Sequence, residues 1–409
     1  MDNELRQADI CAFSLLGGCI ASLTEEKQPY DAASATAMKC IRELIEMLES
    51  DQHEAAACRF VSHLGTDNGG PIDIGDLTIT PVRQLNEAVR LITEVVPDAP
   101  TAFNRNPPFH YDPPHAVVVG IGRNSNPGLA SGQQSRLIDR FLLLIRLLTA
   151  GTTHSIYEIT GQTRLVGFSH ASLTEFDYRE SSTFQRVTEL KVEDSDSISG
   201  LGRLLAKIEF ERADMVATSF QMALLKFDDS YRPTPWYDQL VDLSTALEAI
   251  LSGQDKEDVS LRLRSRAAAL LSGPDDSASA IFSDVGKLYG LRSTLVHGGS
   301  LKTDKALRVM RSLSTINADQ APAAAVAQGV DRLRDLVRRA LLARIALATM
   351  DDPLWPADGA TFSVDETLAD DEQQRRWRTT WRGALESIGA GQAADRPTAG
   401  RDSLTGKPL

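Results

Sequence analysis

From Gly200 onward the chain loses almost every strand signal, and that loss restricts its folding options more than any other feature. Apolar residues recur at helical spacing over about 201–228, 236–252, 259–272, 278–297, 302–315 and 325–349. The breaks fall where helix ends belong: Pro233 and Pro235 before one helix, then Gly253, Gly273-Pro274 and Gly298-Gly299, and Pro322 before the last. Successive helices without strands bury their apolar stripes only against one another, so residues 199–350 are predicted to form an all-α domain.

The preceding residues alternate. Thr36–Glu49 and Pro81–Val95 read as amphipathic helices, and Arg136–Ala150 as a strongly apolar one stopped by Gly151. Pro71–Thr80, Ala116–Ile121 and Ser155–Phe168 are rich in Val, Ile, Thr and Tyr between turn residues, and read as strands. Pro97–Pro114, with six prolines, reads as a long loop, and the acidic stretch Val187–Ser199 as the end of a domain. The expected organisation is α+β: a mixed α/β domain over 1–198, the helical domain over 199–350, and a partly disordered tail over 351–409. One short helix is expected in that tail, at Glu372–Ile388, with Trp377 and Trp381 four apart on an apolar stripe suited to docking.

With 43 Lys plus Arg against 56 Asp plus Glu, the formal charge of −13 makes the surface as a whole repel polyanions, so any nucleic-acid site must be local. Residues 231–349 are the exception, with 16 Lys plus Arg against 13 Asp plus Glu. Two arginine groups stand out there: Arg262, Arg264 and Arg266, expected to bind RNA, and Arg332, Arg334, Arg338, Arg339 and Arg344. Cys11, Cys19, Cys40 and Cys58 form no CxxC pair and no zinc spacing, which fits a reducing cytoplasm and no metal. The apolar stretch Cys11–Leu23 is shorter than the ~20 residues a bilayer requires, so no membrane partner is expected.

The most informative stretch is Lys287–Ser300, KLYGLRSTLVHGGS, which places Arg292 and His297 five residues apart at a helix end. Five steps at about 100° turn roughly 140°, so on one helix the two side chains are splayed. A second copy across a two-fold interface would bring a complete set together. The negative end of a helix dipole favours the cationic imidazole and raises its pKa toward working pH, where the group can donate a proton in one form and accept one in the other. Cutting RNA without a metal needs a base for the 2′-hydroxyl, an acid for the leaving 5′-oxygen and a fixed cation for the phosphorane charge. Doubled His and Arg supply all three.

The stretch Tyr237–Ser300 resembles the Apea-like HEPN domain, a prokaryotic branch of the HEPN superfamily of helical ribonucleases. The family's first helix, of the form "L..alE.l", is matched by LVDLSTALEAIL (Leu240–Leu251), with Glu248 in the acidic position. Its polar, basic second helix is matched by VSLRLRSRAAALL (Val259–Leu271), and its third, ending "lY..RS.lvHG", by VGKLYGLRSTLVHGG (Val285–Gly299). The resemblance implies a HEPN helical bundle that forms a homodimer through the motif helices and cleaves RNA without metal or other cofactor, in phage defence or as a toxin. It implies Arg292 and His297 as catalytic residues, Ser293 and Tyr289 in support, and Glu248 as the group that orients an arginine. The N-terminal domain would then recognise a trigger ligand or protein, or restrain the nuclease. A second reading stays open, in which the helical domain is a non-catalytic module that binds RNA or protein and Arg292 and His297 only shape its interface.

Other signals are weaker. VVVGIGRNSNPG (Val117–Gly128) lacks the lysine of a P-loop and the third glycine of a dinucleotide fingerprint, and reads as a turn. Asp73, Asp76, His110, Asp112 and His115 read as surface-loop residues rather than metal ligands, and His53 and His63 as ordinary polar residues near Cys58.

Overall fold

The computed structural model describes residues 52–97, 99–100, 115–163, 171–176, 187–209, 218–232, 234–252, 258–297, 302–357 and 362–395, with Ala35, Met38, Arg42 and Ile45 in helical conformation. The chain divides into two compact units, Met1–Phe141 with Ser155–Phe176, and Leu142–His154 with Asp177–Leu409. It is an α+β protein, with the sheet in the first unit and helices dominating the second.

In the first unit a six-stranded sheet has the order β3-β4-β5-β1-β6-β7. The strands are β1 (His53–Ser62), β3 (Ile72–Ile74), β4 (Leu77–Pro81), β5 (Ala116–Asn124), β6 (His154–Gln162) and β7 (Ser172–Glu175), with a short β2 (Leu64–Thr66) outside that order. β1 and β5 are antiparallel from His53 opposite Asn124 to Val61 opposite Ala116. The helix α1 (Leu85–Val95) buries Ala88 and Ile92 in one core with Cys58, Phe60, Val117, Ile156 and Ile159. Strand alternation turns Arg59 to the opposite face from Cys58 and Phe60. There its Nε donates to Glu158 at 2.8 Å, and the guanidinium pairs with Asp139 on α2 (Pro127–Thr149).

The strand β1 has no counterpart in the expectations above. Its AAAC run carries helix-forming alanine where strands favour branched residues, so local propensity points the wrong way. Burial on both faces between β5 and β6 decides its conformation instead. Of the expected helix at Thr36–Glu49, Met38, Arg42 and Ile45 are described and are helical, while its other residues and most of the Pro97–Pro114 loop lie outside the described residues.

The second unit contains β8 (Thr188–Leu190), α3 (Asp194–Glu209), α4 (Ser219–Asp229), α5 (Trp236–Leu251), α6 (Val259–Leu271), α7 (Ala278–Val296), α8 (Thr303–Arg311), α9 (Pro322–Ala348), α10 (Val364–Ala369) and α11 (Asp371–Ser387). The boundary expected near Ser199 falls inside α3, because the acidic stretch supplies that helix's first turn through Asp194 and Asp196. The tail expected over 351–409 is packed as far as it is described: Trp377, Trp381 and Leu385 of α11 are buried, and Trp381 Nε1 donates to the Leu270 carbonyl at 3.2 Å.

The helix α9 is buried along nearly all of its length from Val330 to Leu347. Its five arginines, read from sequence as a place where phosphate could be met, are interior. Arg332 forks onto Asp276 at 2.7 and 2.8 Å and reaches Asp284 at 3.0 Å. Arg339 bridges Asp276 at 2.5 Å and Asp335 at 3.0 Å. Arg338 binds Asp335 and the Leu147 and Ala393 carbonyls. Arg334 donates to the Ser230 carbonyl and Gln239, and Arg344 to the Ile250, Trp355 and Pro356 carbonyls. Burial raises the Asp276 and Asp335 carboxyl pKa values, but the adjacent guanidinium groups outweigh it and leave both below the ordinary range.

Candidate active site

The site is built where α7 crosses α5. Ser277 caps α7, its hydroxyl accepting from the Ala280 N–H at 3.2 Å. Ile281, Val285, Leu288 and Leu291 recur on one side and are buried, which holds the motif helix in the bundle. The helix stops at His297, whose backbone has left helical geometry at φ −86° and ψ 16° and donates to the Ser293 carbonyl at 3.2 Å.

One turn earlier, a single carboxylate oxygen organises the motif. Glu248 Oε2, on α5, accepts from Tyr289 Oη at 3.3 Å and pairs with Arg292 Nη2 at 3.4 Å. The Arg292 guanidinium lies over the Tyr289 ring, 5.4 Å from its centroid. Burial, then the Glu248 charge, raises the Tyr289 phenol, so it stays a hydrogen-bond donor. Arg292 Nε is shielded from solvent and has no hydrogen-bond partner, although the side chain as a whole is 20% exposed. An orphaned donor of this kind is destabilising by about 1–3 kcal/mol until an acceptor arrives. His297 is exposed and its imidazole makes no hydrogen bond with a described residue. Ser293, half-buried, contributes its carbonyl to the helix end.

The structure brings Glu248, Tyr289 and Arg292 into direct contact, and leaves His297 beyond them at the helix terminus. In one chain this gives an oriented cation and an uncommitted imidazole, not a closed catalytic centre.

The three arginines expected to bind RNA do not form a patch. On a helix, residues two apart point about 200° from each other, so Arg264 cannot share a face with Arg262 and Arg266. Arg266 is buried, forks onto Asp365 of α10 at 2.6 and 2.9 Å and caps α5 through the Leu251 carbonyl at 2.5 Å. Arg262 pairs with the same Asp365 at 3.3 Å. Arg264 turns to α7, stacking over Phe282 at 4.0 Å and donating to its carbonyl at 3.2 Å. A Cβ at Gly286 would lie 2.6 Å from Arg264 Nε, so that glycine is what admits the side chain. Arg266 is therefore corrected from a ligand-binding to a structural residue, because every guanidinium nitrogen is already spent.

Two further sets of residues matter to the site, the first singled out from sequence for phosphate rather than for this role and the second not singled out. Arg266 and Arg344 both bind carbonyls at the C-terminal end of α5, within a few residues of Glu248. Lys302, Lys305 and Arg308 are exposed on α8, the helix that follows the motif. The signal for the second set was present as cations opposite the buried Ala306 and Met310.

Fold and site together define an α+β protein whose helical unit joins Glu248 of α5 to Tyr289 and Arg292 of α7, with an exposed imidazole at the end of α7 that bonds to no described residue. No protein-family model, curated protein or solved structure matches the chain. Among the described residues, no helix is long and apolar enough to cross a membrane.

Proposed function

We propose that the helical unit is a metal-independent endoribonuclease that acts as a homodimer on RNA, serving phage defence or acting as a toxin. The observation that carries this reading is an oriented Arg292, whose Nε donor has no partner among the described residues, together with an exposed His297 at the same helix end whose imidazole bonds to no described residue. In the proposed reaction one His297 takes the proton from the ribose 2′-hydroxyl, whose oxygen attacks phosphorus. The bond to the 5′-oxygen breaks, and the partner copy's imidazole returns a proton to that leaving oxygen. Arg292 meets the charge that develops on the phosphorane, held in direction by Glu248 and Tyr289. The N-terminal unit is proposed to sense the trigger or restrain the nuclease.

Incubation of the purified protein with total RNA tests this. The wild type is expected to cut in the presence of EDTA, and His297→Ala or Arg292→Ala to lower the rate by about 100-fold or more with the unfolding midpoint unchanged. Wild-type rates in either variant overturn the assignment. Binding of RNA without cleavage by the wild type supports the non-catalytic reading instead.

A further inference from the structure

We propose that the outer face of α8 holds the phosphates of single-stranded RNA beside the motif helix; the proposal rests on the nuclease reading above and names the surface that receives its substrate. Elsewhere in this unit most arginines are committed inward. Those of α9 are buried, Arg266 and Arg262 are held by Asp365, and Arg264 lies against Phe282. On α8 the pattern reverses. Ala306 and Met310 are buried, while Lys302, Lys305 and Arg308 are exposed, and their side chains make no ion pair or hydrogen bond with a described residue. Asp304 is the one acidic residue between Lys302 and Arg311, so the helix concentrates positive charge in a chain whose total is −13.

Two sets of contacts fix where this charge lies. At the far end of α8, Lys287 Nζ of α7 donates to the Ser312 carbonyl at 2.6 Å, and Ser314 donates to Asp284 through N–H at 3.0 Å and hydroxyl at 2.6 Å. At the near end, Lys302 follows His297 by five residues. The helix therefore runs back along α7, away from the motif. Its inner side is seated on α9, where a Cβ at Gly329 would come within 2.2 Å of Met310 Sδ. Lys302 and Arg308 are six residues apart, about 9 Å along the axis, a span that meets successive phosphates of one strand. The exposed positions Lys302, Thr303, Asp304, Lys305 and Arg308 include no aromatic ring, so the face tracks the backbone and leaves the bases unread. A single strand is the fitting partner, since in-line attack by a 2′-hydroxyl needs a backbone free to leave helical geometry.

The test measures binding of full-length His297→Ala protein to fluorescein-labelled polyuridine across a salt series, with and without Lys302→Gln, Lys305→Gln and Arg308→Gln together. At about 0.7 counterions per contact on single strands, the slope of log affinity against log salt is expected to fall by about 2. Affinity at low salt falls at least ~10-fold, while Arg136→Gln, an exposed arginine of α2, changes neither. If the triple variant fails to fold, Lys305→Gln alone is expected to lower the slope by about 0.7. An unchanged slope, or competition by polyglutamate as strong as by polyuridine, overturns the surface. A wild type that cuts RNA, with an unchanged slope in the variants, overturns the surface and leaves the nuclease; slope loss without cleavage by the wild type does the reverse.

Discussion

Tyr231 sits between two guanidinium groups, with Arg146 and Arg334 each 4.8 Å from its ring centroid, and its hydroxyl is buried without a hydrogen-bond partner. Burial pushes its pKa up to about 12 against the lowering effect of those cations. An unfolded tyrosine loses its proton near pH 10, so between about pH 10 and 12 the unfolded chain binds fewer protons and folding stability falls as pH rises. Tyr231→Phe is expected to raise stability at pH 7 by about 1 kcal/mol and to lose this alkaline component, as read by urea unfolding at pH 7 and pH 11. Residue types in the motif were legible from sequence, because Glu248, Tyr289 and Arg292 meet through helical spacing on two neighbouring helices. The direction of the other arginines was not, since a guanidinium in the interior and one in water have the same letter. Only the partners, such as Asp365 for Arg266 or Asp276 for Arg332, decide between them.

At the level of elements, the extent of α7 was readable, since helical spacing over 278–297 closed by two glycines matches Ala278–Val296. The strand β1 was not, because its conformation is set by neighbours distant in sequence rather than by its alanines. The seating of α8 on α9 was equally hidden, as it depends on one glycine facing one methionine. Gly329→Val is expected to destabilise the helical unit by about 1–3 kcal/mol through that clash, measured by thermal unfolding. Adding Met310→Ala should then cost less than the same change in the wild type, and strict additivity of the two would reject the contact.

Across the whole chain, a count of charges does not map a surface, since the α9 arginines add to the count while lying in the interior. The same arrangement sets the response to acid. Asp276 and Asp335 are held below their ordinary pKa, so their contribution to stability is complete above the unfolded value near 3.9 and disappears as pH falls through the folded one. Urea unfolding is therefore expected to show stability falling below about pH 4, with a shallower fall in Asp335→Asn. That variant should also lose about 3–5 kcal/mol at pH 7, because Arg338 and Arg339 remain buried without their carboxylate. Such a fastener constrains descent as well as folding. In any lineage that carries it, exchanging Asp276, Asp284, Arg332 or Arg339 alone for an apolar residue strands a buried charge, so these four are expected to be kept or lost together, while Asp335 retains Arg338.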